Sequence, residues 1–212
     1  MTNLTELVFI LDRSGSMSGL ESDTIGGYNS MLAKQKEAEG EAVVTTVLFN
    51  HENELLHDRI NVKGVAPLTI KDYEVSGTTA LLDAIGHTIN KIKKAQNATL
   101  KEHRAAKVLF VITTDGLENS SREFDYKKIK QMIQKQKECG WEFIFLGANI
   151  DAIGTASELG IDSDHAVEFH ADEEGVQMNF SVVTETVLNY RKEGKIEKEW
   201  KKEIEADYNR RK

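Results

Sequence analysis

Three short apolar runs constrain the fold of this chain more than any other feature of its sequence. They are Leu7–Leu11, Val108–Ile112 and Phe143–Leu146. A strand with one face in water alternates apolar and polar residues, whereas a run without alternation is typical of a strand buried on both faces. Such strands occur in parallel sheets that are covered by helices on both sides. The sequence therefore predicts an α/β protein.

Segments with helical periodicity separate and follow these runs. They are the stretch from near Leu20 to Ala38, Ala80–Gln96, Phe124–Glu138, Ala152–Leu159 and Glu173–Tyr190. A further short strand is predicted at Ala166–Phe169, between the last two helices. The alternation of strands and helices predicts a doubly wound, Rossmann-like sandwich with helices on both faces of the sheet.

The segment after the first helix has a different pattern. Ala42–Phe49 is strand-like, Asn50 to Asn53 supplies turn residues, and Leu55–Val62 alternates in part. This pattern predicts a β-hairpin whose second strand lies at the edge of the sheet.

Composition limits the class of protein and its partners. The chain has 212 residues, a formal net charge of −8 and a single cysteine, Cys139, so it forms no internal disulfide. An acidic chain is not expected to bind nucleic acid or an anionic membrane. The run Leu7–Leu11 is too short for a signal peptide, and no stretch approaches the roughly 20 apolar residues of a membrane span. We therefore expect a cytoplasmic protein.

The composition shifts after Tyr190, which divides the chain into a domain at 1–190 and a tail at 191–212. The tail holds nine Lys or Arg and six Asp or Glu residues. Four of its apolar residues recur every fourth position and predict one amphipathic helix with a narrow stripe: Ile196, Trp200, Ile204 and Tyr208. Such a stripe either docks on the domain or binds a partner, and the sequence leaves the oligomeric state open.

Polar residues follow the predicted strands at positions that suit a metal ion. Asp12, Ser14 and Ser16 come after the first run, Asp115 comes after the second, and Thr79 opens a helix. The carboxyl ends of the strands in such a sheet meet at one edge, where ligands bind. Carboxylate and hydroxyl oxygens without His or Cys suit a hard cation, so we expect Mg²⁺, with Mn²⁺ or Ca²⁺ as alternatives.

The balance of these ligands predicts binding and not catalysis. Three of the five side chains are neutral hydroxyls, so only two negative charges would face the ion. An open coordination position would then favour an anionic oxygen, most simply the Asp or Glu carboxylate of a protein partner. We therefore expect a protein-binding domain that is not an enzyme.

The three segments together resemble the metal-ion-dependent adhesion site of von Willebrand factor type A domains. The resemblance extends from about Leu4 to Tyr190 and is greatest to small stand-alone bacterial members. It implies a six-stranded, mostly parallel sheet with one antiparallel edge strand, here Leu55–Val62. It also implies that Ser14, Ser16 and Thr79 ligate the metal, with Asp12 and Asp115 bound directly or through water.

Two positions depart from the family pattern or leave a role open. Many members have Gly-Gly-Thr where this chain has Gly77-Thr78-Thr79, so Thr78 competes with Thr79 as the ligand. Arg13 either clamps the incoming carboxylate or pairs with a nearby acid, such as Glu21 or Asp23.

Two other functions compete with metal-dependent binding. An aspartate after the first strand is also the nucleophile of haloacid-dehalogenase-type phosphatases, which would give Asp12 that role. Those enzymes need a second aspartate where this chain has Ser14, and a lysine in the site. The third possibility is a metal-independent scaffold that binds its partner through the tail at 191–212.

Overall fold

The predicted strands form a single six-stranded sheet in the computed structural model, which describes residues 3–211. The strands are β1 (Thr5–Asp12), β2 (Ala42–Phe49), β3 (Asn53–Asn61), β4 (Lys107–Thr114), β5 (Trp141–Ala148) and β6 (Ala166–Phe169). Their order is β3-β2-β1-β4-β5-β6. Five strands are parallel and the edge strand β3 is antiparallel, so the predicted sheet is confirmed.

Six α-helices accompany the sheet in the described part of the chain. They are α1 (Glu21–Glu37), α2 (Leu81–Ala98), α3 (Tyr126–Lys137), α4 (Ala152–Leu159), α5 (Glu173–Glu193) and α6 (Lys202–Arg210). Short 3₁₀ turns lie at Gly15–Met17, Val62–Gly64, Lys101–His103 and Ser163–His165. Within residues 3–211, no helix has the length and apolar character that crossing a bilayer requires.

Strand β1 shows why its sequence has no alternation. Leu7 and Phe9 belong to the apolar core that includes residues of α1 and α5, while Val8 and Ile10 belong to the core that includes residues of α2 and α3. All four side chains are at most 1% exposed. Because successive side chains of a strand point to opposite faces, burial of both faces requires a continuous apolar run.

The tail differs from the single helix that its stripe predicts. Helix α5 continues past residue 190 to Glu193 and ends at Gly194, which has a φ of +75°. Glycine adopts this left-handed conformation without a steric penalty, and it commonly ends a helix. Helix α6 begins only at Lys202, so Ile196 and Trp200 precede it. The prediction of one continuous helix was therefore wrong.

The tail residues nevertheless pack on the domain. Trp200 and Ile204 are 9% and 2% exposed and belong to the same apolar core as α1 and α5, and Ile196 packs against that core. The indole N–H of Trp200 donates to the carbonyl of Asp164 at 2.8 Å. Lys212 lies outside the described residues.

Candidate metal centre

The first and third predicted segments meet where β1 and β4 end side by side. The two strands pair in parallel with Leu11 opposite Thr113, so the residues that follow them leave the sheet at the same edge. The Ser16 hydroxyl donates to Asp115 Oδ1 at 2.5 Å, and Ser14 Oγ and Ser16 Oγ are hydrogen bonded at 3.1 Å. Residues almost a hundred positions apart thus form one polar cluster.

The turn after β1 is shaped by its own aspartate. Asp12 Oδ1 accepts the backbone N–H of Ser14 at 2.7 Å, which turns the chain into the 3₁₀ segment Gly15–Met17. The N–H of Gly15 then donates to the carbonyl of Gly77 at 3.0 Å. This bond ties the first segment to the second one, which carries Thr79.

Thr79 reaches the cluster, whereas Thr78 lies on the surface. Thr79 is 3% exposed and Thr78 is exposed. A Cβ placed on Gly116 would lie 3.2 Å from both Ser16 Oγ and Thr79 Oγ1, so the two hydroxyls flank the same glycine. This geometry favours Thr79 over Thr78 as the residue that faces the site.

Three further residues support the cluster through hydrogen bonds. The Thr114 hydroxyl donates to Asp12 Oδ2 at 2.5 Å, and the Tyr73 hydroxyl donates to the Asp12 carbonyl. Asn119 accepts the Thr79 N–H through Oδ1 and donates its own N–H to the Thr79 carbonyl, both at 3.0 Å. Thr114 precedes Asp115 directly, and Asn119 lies in the segment 116–119 after Asp115 that the sequence places at the rim of the site, but nothing in the sequence connects Tyr73 to it.

The irregular loop between Asp115 and α3 is held to the start of α2 by two carboxylates. Glu118 accepts the backbone N–H groups of Ser120, Ser121 and Leu82 at 2.7–2.9 Å. Asp83 accepts the N–H groups of three consecutive residues at 2.8–3.0 Å: Arg122, Glu123 and Phe124. Carboxylate–amide bonds of this kind are strong, so the loop that follows Asp115 is ordered by the chain itself.

The two aspartates are buried with their charge uncompensated. Asp12 and Asp115 are 1% and 2% exposed. Burial raises the pKa of both carboxyl groups, that of Asp115 to about 6, because removal from water disfavours the charged form. Hydrogen bonds from Ser14 and Ser16 act in the opposite direction.

Arg13 does not neutralise these carboxylates. Its guanidinium forms an ion pair with Glu54 at 2.7 Å and donates to the carbonyl of Asp72 at 3.2 Å. Of the two alternatives for Arg13, pairing with an acid is therefore the one observed, but the acid is Glu54 and not Glu21 or Asp23, because the hairpin brings Glu54 closer. Within residues 3–211, neither Asp12 nor Asp115 forms an ion pair with a Lys or Arg side chain.

The donor set fits a hard divalent cation. Asp115 Oδ2 is buried and has no hydrogen-bond partner, although buried polar atoms are rarely left unpaired. It lies beside a group of hydroxyl oxygens, and oxygen-only sites suit Mg²⁺, Mn²⁺ and Ca²⁺. In the described part of the chain, no group of three or more His, Cys, Asp or Glu residues could hold a metal ion. Metal binding at this edge thus depends on the hydroxyl groups.

Comparisons with known proteins find similarity in structure only. No protein-family model and no curated protein matches the sequence. The von Willebrand factor domain of the type V pili tip protein Mfa5 from Porphyromonas gingivalis superposes with a TM-score of 0.61 at 15% identity. That match covers 93% of this chain and 99% of the other.

Two further solved structures are longer than this chain. The PilB minor pilin from Streptococcus sanguinis has a TM-score of 0.60 at 12% identity, over 87% of this chain and 61% of the pilin. Proximal thread matrix protein 1 from the mussel byssus has a TM-score of 0.58 at 12% identity. Its structure was solved with zinc in its MIDAS motif, the abbreviation for a metal-ion-dependent adhesion site. That match covers 87% of this chain and 46% of the mussel protein. At these identities the similarity is one of fold.

Proposed function

We propose that this chain, which has the fold of von Willebrand factor type A domains, is a protein-binding domain that depends on a divalent metal ion. Ser14, Ser16 and Thr79 would hold the ion, with Asp12 and Asp115 bound directly or through water. Mg²⁺ is the proposed ion, and Mn²⁺ and Ca²⁺ suit the same donors. The zinc-occupied motif of the mussel protein, whose fold is similar, supports a divalent metal site.

One observation carries the proposal. Asp115 Oδ2 is buried without a hydrogen-bond partner, next to the Ser16 hydroxyl that binds the other oxygen of the same carboxylate. An unpaired, buried carboxylate oxygen is costly unless a cation completes it. A structural role, such as capping a helix, would give this oxygen a backbone N–H partner.

The site's composition also indicates what it binds. Its hydroxyls add no negative charge, so a bound divalent cation would supply positive charge for an anionic ligand. The rim around the cluster is exposed at Gly15, Ser16 and Thr78, which are small enough to let a partner approach. The proposed ligand is the Asp or Glu side chain of another protein. The similarity to a pili tip protein and a minor pilin supports a role in protein binding.

A phosphatase mechanism is not supported by the surroundings of Asp12. A nucleophilic carboxylate needs an oxygen that is free to attack a phosphorus atom. Asp12 is 1% exposed, and its two oxygens accept hydrogen bonds from the Ser14 N–H and the Thr114 hydroxyl, so a phosphate ester would have little access to either oxygen. Ser14 also stands where the second aspartate of such enzymes is required.

A scaffold that acts through the tail alone is also disfavoured. Its binding surface would be the apolar stripe, yet Trp200 and Ile204 are buried in the domain's own core. A partner that used this stripe would first have to displace it from the domain.

Calorimetric titration with Mg²⁺ and Mn²⁺ tests the metal site. We expect binding by the unmodified protein and loss of binding in the double variant Ser14→Ala/Ser16→Ala. Ser18→Ala is the matched control, because Ser18 lies in the same turn and is exposed. Equal affinity in all three proteins would refute the site.

Capture of a partner from an extract of the native cell tests the second part. We expect a protein that is retained in Mg²⁺, is released by EDTA and is not retained by the double serine variant. A partner that is retained equally in Mg²⁺ and in EDTA would support the tail-dependent scaffold instead.

A further inference from the structure

A groove leads away from the candidate metal centre along α2, on the side of β3. It consists of two adjoining cavities of about 590 and 340 Å³, which share Asn53 and His87 in their walls. The first cavity opens at Gly77 and Thr78, directly before the buried Thr79. The second cavity continues toward the middle of α2, at Thr88. The groove therefore begins at the two residues that directly precede Thr79 of the metal centre.

The wall of the first cavity depends on a close contact. A Cβ on Gly77 would lie 2.1 Å from Nδ1 of His51, and Gly77 has a φ of +75°. Only glycine satisfies both conditions, so the imidazole of His51 sits directly against the segment that carries Thr79. The rest of this cavity is polar, and its lining includes Arg122 and Glu123.

The second cavity is different, because it has an apolar wall. Val47 and Leu55 line it, together with the side chains of Thr88 and Lys91. Leu55 is 40% exposed on the edge strand β3. Edge strands usually carry polar or charged residues on their exposed positions, so an exposed leucine inside a groove favours contact with an apolar ligand group.

The length of the groove gives the distance between its apolar wall and the metal centre. Leu81 begins α2 beside Thr79, and Thr88 lies seven residues further along the helix. At a rise of about 1.5 Å per residue this separation is about 10 Å. An extended polypeptide covers about 3.3 Å per residue and would span it with about three residues.

We propose that this groove binds an extended segment of the protein partner, adjacent to the residue whose carboxylate reaches the metal centre. An apolar side chain of the segment, about three to five residues from the acidic residue, fits against Leu55 and Val47. The start of the groove next to Thr79 and its change from polar to apolar lining favour this occupant. The inference rests on the proposed function, since the metal centre anchors the segment.

Synthetic peptides test the register. Each peptide has one Asp in a Gly/Ser background, and one Leu is placed in turn at each position up to about six residues away on either side. Dissociation constants are measured in Mg²⁺ by NMR titration of the isotope-labelled protein. We expect one Leu position to bind roughly tenfold more tightly than the peptide with Asp alone, as partial burial of a leucine predicts.

Two variants of Leu55 test whether the tenfold gain in affinity comes from contact with the groove. Leu55→Ser should abolish the tenfold gain and leave the affinity for the Asp-only peptide unchanged. Leu55→Thr, which keeps a high strand propensity, should give the same result if the serine variant is unstable. Ile60→Ser is the matched control, because Ile60 is 36% exposed on the same strand but does not line the groove. It should keep the full gain.

The outcomes separate the groove from the proposed function. If the Asp-only peptide binds in Mg²⁺ but not in EDTA and no Leu position improves it, the groove proposal is wrong and the proposed function stands. A gain that persists in Leu55→Ser, or that Ile60→Ser also abolishes, overturns the groove as well. If no peptide binds in a Mg²⁺-dependent manner, both proposals fail.

Discussion

Two groups of aspartates lie near the ends of strands at the same edge of the sheet, and the pKa values of their carboxyl groups are shifted in opposite directions. Asp12 is the last residue of β1 and Asp115 follows β4, and burial raises the pKa values of both carboxyl groups. Asp172 follows β6, and it shares Arg211 with Asp207 of α6. Hydrogen bonds from this arginine lower the pKa of both tail-side carboxyl groups.

The difference shows which group of carboxylates already has its cations within the chain. At the tail, the chain supplies its own cations, since Arg211 binds Asp172 at 2.6 Å and Arg210 binds Asp207 at 2.6 Å. At the metal centre, the chain supplies hydroxyls and leaves Asp115 Oδ2 unpaired. The tail-side carboxylates are thus neutralised within the chain, whereas the carboxylates of the metal centre can still bind a cation from outside.

The largest expected effect concerns the residue that anchors the tail. Trp200→Ala removes an indole that is 9% exposed in the core, together with its hydrogen bond to the Asp164 carbonyl. We expect the free energy of unfolding in urea to fall by about 3 kcal/mol, as for other large-to-small core substitutions. Ile196→Ala, at a partly buried position, should cost less. Mg²⁺ affinity should not change in either variant, and a loss of affinity would show that the two groups are coupled.

Neutralising one carboxylate in each group should change stability in opposite directions. Asp115→Asn removes a buried charge, so in EDTA the protein should be as stable as the unmodified one or more stable. The same change should weaken Mg²⁺ binding by at least about 100-fold, the upper end of what supporting residues of metal sites cost. Asp207→Asn removes the carboxylate that pairs with Arg210 and Arg211. It should lower stability and leave the affinity for Mg²⁺ unchanged. Urea unfolding measures stability and calorimetry measures Mg²⁺ affinity. If both variants changed the free energy of unfolding in the same direction, the comparison would be contradicted.

Asn119 tests whether the centre is ordered before the ion binds. It joins the Thr79 segment to the loop after Asp115 by two hydrogen bonds of 3.0 Å. Asn119→Ala should weaken Mg²⁺ binding about tenfold, because supporting residues orient the ligands. Asn119→Asp keeps the acceptor for the Thr79 N–H and should restore the affinity. Asn149→Gly is the control, since Asn149 is exposed and has a φ of +56° that glycine tolerates.

The sheet could be predicted from sequence because strands buried on both faces have continuous apolar runs. Continuous apolar runs located β1, β4 and β5 to within a few residues, and the turn residues after Phe49 located the hairpin. The helix ends were less accurate at the tail. Gly194 follows Arg191 and Lys192, which is a typical helix end, but the four-residue recurrence of apolar side chains obscured it.

The parts of the metal centre that sequence could not reveal depend on contacts between distant segments. Arg13 pairs with Glu54, forty-one residues away, because the hairpin returns the chain to the edge of the site. Asn119 and Asp83 act on residues about forty positions distant. Polar residues in loops satisfy backbone groups in many ways, so their types and spacing do not identify their partners.

The smallest expected effect is a pH dependence with two opposite slopes in EDTA. The folded-state pKa of Asp172 and Asp207 is lowered, so their contribution to stability is present above the ordinary value of 3.8 and is lost as the pH falls through the folded values. His170, Glu174 and Arg210 also face this group.

At the metal centre the sign is reversed. The pKa of Asp115 is raised to about 6, so the stability linked to its protonated form is lost as the pH rises from about 4 to 6. Urea midpoints measured from about pH 2 to about pH 6 should therefore be highest at about pH 4 and fall on either side of it. Arg211→Ala should flatten only the acid side and Asp115→Asn only the upper side. If one variant flattened both sides, the two groups of aspartates would not be electrostatically independent.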